Sequence, residues 1–178
     1  MNYLQGRELI QNGDMVFVCR NKKKFSFFAN TISFFTRSEI YHCAIAVWMQ
    51  AESGEKRLFL VEADLNNRRI VPLSIYEGHD MYVLAKPDIV KFEYFSSELI
   101  VPVGTQKYGI GKAIEAGLRK YLLLPRLASE GEICSEMCLR MWRIGGFVRL
   151  DQELFTPDQL YNIMTMACNI QTRVDIKA

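Results

Sequence analysis

The sequence is poor in histidine, has no CxxC pair, and nowhere runs to about 18 consecutive apolar residues. Each absence removes a class of protein. With only His42 and His79 present, a structural zinc site would lack its usual ligand pairs, so neither a metal nor another cofactor is expected. Without a long apolar run, no integral membrane segment is expected. The opening Met1-Asn2-Tyr3-Leu4-Gln5-Gly6-Arg7 lacks the basic-then-apolar layout of a secretory signal. Neither sign of charge dominates. The 22 Lys and Arg against 20 Asp and Glu leave a net charge of +2. That is too mild to imply nucleic acid as the partner. The dense basic run Lys22-Lys23-Lys24 reads as a solvated turn before a phosphate or membrane contact.

Five cysteines (Cys19, Cys43, Cys134, Cys138 and Cys168) form an odd set without framework spacing. At least one thiol must be free. Most read as small core residues in a reducing compartment, which makes the expected location cytoplasmic. What remains is globular material: 178 residues, 49% hydrophobic and 24% charged. This suits a single domain over 1–178 that buries roughly 70% of the surface its unfolded chain exposes, with no staple required. No internal repeat or low-complexity tract interrupts it.

Short apolar runs come first. Asp14-Met15-Val16-Phe17-Val18-Cys19, launched from Asn12-Gly13, reads as a buried strand. Phe25 to Phe35 carries aromatics at helical spacing and reads as a buried helix or the wall of an apolar groove, with core packing the better explanation. Tyr41 to Trp48 and Arg57 to Ala63 read as strands joined by the polar connector Gln50–Glu55. Arg69-Ile70-Val71 and Met81 to Ala85 follow as strands, the latter stopped before Pro87. The second half turns helical. Gly109 to Leu124 ends at Pro125, and Cys134 to Ile144 ends before Gly145-Gly146, where a left-handed cap is expected. Thr156-Pro157-Asp158 opens a last helix through about Met166, with Thr156 as N-cap and Pro157 at the first helical position. Strands first with flanking helices argue an α+β fold.

Two places invite chemistry. Partners across a symmetric hairpin have residue numbers of constant sum. A turn centred near Glu52 puts His42 opposite Glu62, two polar residues in otherwise apolar strands. Either both sit at strand ends and touch water, or Glu62 orients His42 and stabilises its protonated form. A slip of one residue would spoil the pairing. Cys134 stands at a helix start, where unpaired N–H groups and the positive dipole end favour thiolate and could stabilise an oxyanion. A cysteine at a helix start can equally be structural, and Cys138, one turn on, reads as core.

In order along the chain, Leu9-Ile10-Gln11-Asn12-Gly13-Asp14-Met15-Val16-Phe17, Tyr41-His42-Cys43-Ala44-Ile45-Ala46-Val47, Leu60-Val61-Glu62-Ala63, Ile133-Cys134-Ser135-Glu136-Met137 and Thr156-Pro157-Asp158-Gln159-Leu160 resemble the motifs of one family. It is the circularly permuted, YiiX-like branch of the NlpC-type papain-like peptidases and amidases, related to the lecithin:retinol acyltransferase-like enzymes. The resemblance spans nearly the whole chain. It implies a papain-like fold in which an antiparallel sheet packs against the helix bearing the nucleophile. It also implies Cys134 as nucleophile, His42 as base, Glu62 as orienting residue, and the order His, Glu, Cys that permutation produces. The expected reaction is cleavage of an amide bond, in a cell-wall-type peptide, through a thioester. Transfer or hydrolysis on acyl-lipid substrates is the alternative.

Departures from the family pattern fall beside these residues. Tyr41 replaces a small residue, and Cys43-Ala44 replaces Val-Gly. Tyr108 occupies roughly the place of a family tyrosine, although 25 residues separate it from Cys134. Tyr108, Ser135 and Tyr41 are carried as oxyanion- or substrate-binding residues. Two non-enzymatic classes compete: a binding protein that keeps the fold without turnover, and a membrane-surface or nucleic-acid module using Lys22-Lys23-Lys24 and Arg68-Arg69.

Overall fold

The computed structural model describes residues 1–21, 38–64, 67–105, 109, 132–148, 150 and 155–177. The Lys22–Lys24 run, the Phe25–Phe35 segment, Tyr108 and all but Gly109 of the helix expected over Gly109–Leu124 lie outside them. The described elements are α1 (Tyr3–Leu9), β1 (Met15–Cys19), β2 (Ile40–Gln50), β3 (Lys56–Ala63), β4 (Arg68–Pro72), a 3₁₀ turn (Leu73–Tyr76), β5 (Met81–Leu84), α2 (Phe92–Ile100), α3 (Cys134–Ile144), α4 (Pro157–Asn162) and β6 (Thr172–Ile176). One six-stranded sheet runs β4-β3-β2-β1-β5-β6, antiparallel at every pairing. The architecture is therefore α+β. Among the described residues, no helix is long and apolar enough to cross a membrane.

The central strands are buried on both faces, which explains why they read as apolar runs rather than alternations. Alternate residues sort to opposite sides. Met15, Phe17, Cys43, Ile45, Val47 and Val61 pack with α2, α3 and α4 through Phe95, Leu99, Met137, Met141, Trp142 and Leu160. Val16, Val18, Ala44, Ala46, Leu58 and Leu60 face the other way, onto Ile10, Leu73, Tyr76, Val174 and Ile176. Gly13 ties the layers together. Its φ of +84° suits glycine, and a Cβ there would come within 2.8 Å of the Lys86 side chain. Its carbonyl accepts the Trp142 indole N–H at 2.8 Å, fastening α3 to the entry of β1. The neighbouring Asp14 carboxylate accepts the main-chain N–H of Gln11 and Lys86 and pairs with Arg173.

Helix α3 begins at Cys134 and closes at Gly145-Gly146 as expected from the sequence. Phe147 N–H reaches Trp142 O, Gly146 N–H reaches Arg143 O, and Gly146 holds φ +112°, a Schellman ending. Thr156 caps α4 in a reciprocal box with Gln159. The last helix departs from expectation beyond Asn162: it widens to a π turn over Ile163–Ala167 rather than running on as α-helix to Met166. The β2–β3 register also differs. Ile45 pairs with Val61 and Gln50 with Lys56, a constant sum of 45 + 61 = 106 rather than 104. The turn centres on Ser53, one residue later than Glu52, and Gly54 closes it with a φ of +84° and an N–H bond to Ala51 O.

Candidate active site

The register change alone would place His42 and Glu62 diagonally rather than face to face. Because the partner moves by two residues, both stay on one side of the sheet, where diagonal neighbours remain within reach of long side chains. A bulge completes the placement. Val18 pairs with His42 but Cys19 pairs with Ile40, so Tyr41 is an extra residue in β2. There His42 Nε2 lies 2.9 Å from Glu62 Oε2, with His42 only 4% and Glu62 0% exposed.

Glu62 is held by more than the imidazole. Tyr76, from the 3₁₀ turn, donates its hydroxyl to Glu62 Oε2 at 2.7 Å. Arg69, directly opposite on β4, approaches Oε1 at 2.8 Å through Nε and 2.7 Å through Nη2. Its remaining nitrogen reaches Asp64 at 2.9 Å. Burial alone would push the Glu62 carboxyl up, but the His42 charge and the bonds from His42, Tyr76 and Arg69 hold it down to about 2. Burial pushes the Tyr76 phenol well up, so it stays a donor.

A carboxylate only accepts, so the Nε2 that faces Glu62 carries hydrogen, and Nδ1 is left as the exchangeable ring atom. The other titratable group that acts on the ring is Cys134, at the first position of α3. Burial opposes a charge on His42. The Glu62 charge and the hydrogen bonds with Cys134 and Glu62 overcome it and raise the imidazole well above its usual range. The Cys134 thiol moves the opposite way. A hydrogen bond from the Cys43 thiol acts first, burial opposes it, and the His42 bond and charge with the Cys43 main-chain N–H carry it well below the usual thiol range. Cys43 itself is pushed far up by burial, and Cys134 and Cys138 add to the shift. Cys138 is fully buried in the helix-side core.

The two core layers meet at this imidazole. Glu62 and Tyr76 approach it from one side of the sheet, and Cys134 belongs to the helix-side cluster. Ile133, the N-cap of α3, makes no side-chain cap bond, so the first-turn N–H groups have no partner within the helix. Ser135 donates its buried hydroxyl to the Phe155 carbonyl, which ties α3 to the α4 cap. What Ser135 can lend to chemistry is its main-chain N–H. Tyr41 is 9% exposed and stacks 6.1 Å from the His42 ring, in a group of rings that includes Tyr76 and His79. Burial raises its phenol.

Arg69, Tyr76 and the Cys43 thiol are partners that sequence reasoning did not assign. Arg69 was within reach of it. Asp64 N–H bonds Asn67 O, and 64 + 67 = 62 + 69 = 131, so the same constant-sum rule puts Arg69 opposite Glu62. Tyr76 follows a change of direction at Pro72 and carries no periodic signal.

Among the described residues, surface clefts also lie away from these side chains. One of about 540 Å³ is lined by Arg7, Asn12, Trp48 and Lys56 at the far end of β2 and β3. Another of about 420 Å³ lies by Phe147 and Val148, past the end of α3. Among the described residues no three His, Cys, Asp or Glu side chains converge as a metal site. In comparison with known proteins, the chain matches no family model and has no significant match among curated proteins.

Proposed function

We propose that this protein is a thiol hydrolase of the permuted NlpC-type, papain-like kind, with Cys134 as nucleophile, His42 as acid–base and Glu62 as the residue that orients the ring. One observation carries the reading. His42 and Glu62 are buried and hydrogen-bonded at 2.9 Å, and Cys134 at the start of α3 acts on the same ring, with the thiol shifted down and the imidazole up. That is the charge distribution of a thiolate–imidazolium pair stabilised by a carboxylate.

In the reaction, the Cys134 sulfur attacks an acyl carbonyl and forms a C–S bond, with the negative charge passing to the carbonyl oxygen. First-turn N–H groups of α3 are available to that oxyanion. His42 gives its proton to the departing amine or alcohol as the C–N or C–O bond breaks, leaving a thioester. Water then attacks, His42 takes its proton, and the acid leaves with restoration of the thiolate. Hydrolysis and acyl transfer differ only in which acceptor resolves the thioester. Peptide amides are the favoured substrate class, with acyl lipids second. A reducing, cytoplasmic setting suits five cysteines that are all buried and form no disulfide among the described residues.

The test is the alkylation rate of Cys134 against pH, read by peptide mass spectrometry. Cys134 should react well below pH 8 and slow sharply in His42→Ala. A rate no faster than that of Cys19, whose thiol burial pushes up to about 12, would reject the hydrolase.

A further inference from the structure

The adjacent pair Arg68-Arg69 opens β4, and strand alternation sends the two side chains to opposite sides of the sheet. Arg69 goes to Glu62. Arg68 goes to the helix side and is 0% exposed. Its Nη1 donates to the carbonyls of Glu98 at 2.7 Å and Leu99 at 3.3 Å in the last turn of α2. There carbonyls lack intrahelical partners and the dipole is negative. Its Nη2 pairs with Glu132. Glu132 is 4% exposed, takes a second ion pair from Arg140 of α3 at 3.2 Å, and accepts the Gly109 N–H on its main-chain carbonyl.

Glu132 stands two residues before Cys134. Between them is Ile133, an N-cap with no side chain able to fix the helix entry. Helices are ordinarily started by Ser, Thr, Asp or Asn at that position, and α4 of this chain uses Thr156 so. At α3 the ionic grip on Glu132 stands in place of the cap. Stability is a poor explanation for it. Buried ion pairs are often matched or bettered by apolar side chains of similar volume, and Arg68 Nε is left without a hydrogen-bond partner among the described residues.

We propose that Arg68 is a positioning residue, which through Glu132 fixes the height and angle at which Cys134 meets His42. Arg68 and Arg69 then set the two halves of the site from one strand, one arginine acting on the nucleophile and the other on the base through Glu62. This rests on the thiol hydrolase reading above.

The experiment uses the full chain with Arg68→Met and Glu132→Leu combined, so that no buried charge is left unpaired. The exposed side of Arg140 can turn to water. Thermal midpoint and the pH profile of Cys134 alkylation are read together. The expected result is a midpoint close to wild type, with the alkylation profile displaced upward by about one pH unit, which is about tenfold in rate near pH 6. Arg68→Lys, which keeps the charge without the fork, should give an intermediate profile. If the double variant does not fold, Glu132→Gln, which keeps the shape and removes the charge, is read the same way. A folded variant with the wild-type profile overturns the positioning role alone. A wild-type Cys134 that is unreactive at low pH and indifferent to His42→Ala overturns the hydrolase and this inference with it.

Discussion

Replacing Glu62 by Gln keeps the shape of the side chain and removes the charge on which Arg69, Tyr76 and His42 converge. The folded carboxyl is held down to about 2 from an ordinary value of 4.5. A depressed carboxyl contributes stability above its unfolded pKa, and that stability is lost as pH falls through the folded value. A gap of about 2.5 units at about 1.4 kcal/mol per unit gives about 3.5 kcal/mol near pH 7. An independent route agrees: breaking a buried ion pair by removing one partner costs about 3–5 kcal/mol. Urea unfolding of wild type and Glu62→Gln at pH 7, 4 and 3 measures this directly. The two should differ by about 3.5 kcal/mol at pH 7, with the gap narrowing steadily below pH 4.5, where the unfolded chain's Glu62 takes up a proton that the folded carboxyl still resists. In the same variant His42 loses the charge that outweighs its burial, so Cys134 alkylation should move to higher pH. A stability gap that stays the same at all three pH values, or is under about 1 kcal/mol at pH 7, would refute the placement of Glu62 as the buried anion of this site.

Two further substitutions probe its neighbours. Cys43→Val removes the thiol whose influence does most to lower that of Cys134 while keeping a similar volume, so the Cys134 alkylation profile should rise in pH; an unmoved profile would mean that Cys43 does not act on Cys134. Tyr76→Phe takes one donor from the Glu62 carboxylate and should cost about 1.5–3 kcal/mol in urea unfolding at pH 7, with less than about 0.5 kcal/mol contradicting the bond.

Much of the site's placement is local and therefore legible. Helix α3 announces itself through its Gly145-Gly146 ending, and α4 through Thr156-Pro157, because caps depend on neighbouring residues alone. Strands β1, β2, β3 and β5 are buried on both faces and stand out by composition. Their pairing is less visible, since a single residue at the Gly54 turn changes the sum from 104 to 106. The His42–Glu62 contact tolerates that shift because the side-chain period is two. The bulge at Tyr41, by contrast, is set by pairing with β1 and leaves no mark in the β2 sequence. Strand β6 escapes notice for another reason. It is an edge strand of alternating Arg173, Val174, Asp175 and Ile176, as polar as a loop. Helices α1 and α2 are short and weakly patterned, and their apolar faces become apparent only against the sheet they cover.

On the proposed reading, the ionised groups around His42 alternate in sign from the surface inward: Asp64, Arg69, Glu62, the imidazolium and the thiolate. An arrangement of that kind closes its field on itself, and its buried members are screened little by dissolved ions. That imidazolium–thiolate pair would then be insulated from ionic strength. Arg69, at 44% side-chain exposure, is the member through which the solution reaches it, so an anion settling on that guanidinium would be felt across the sheet at Cys134.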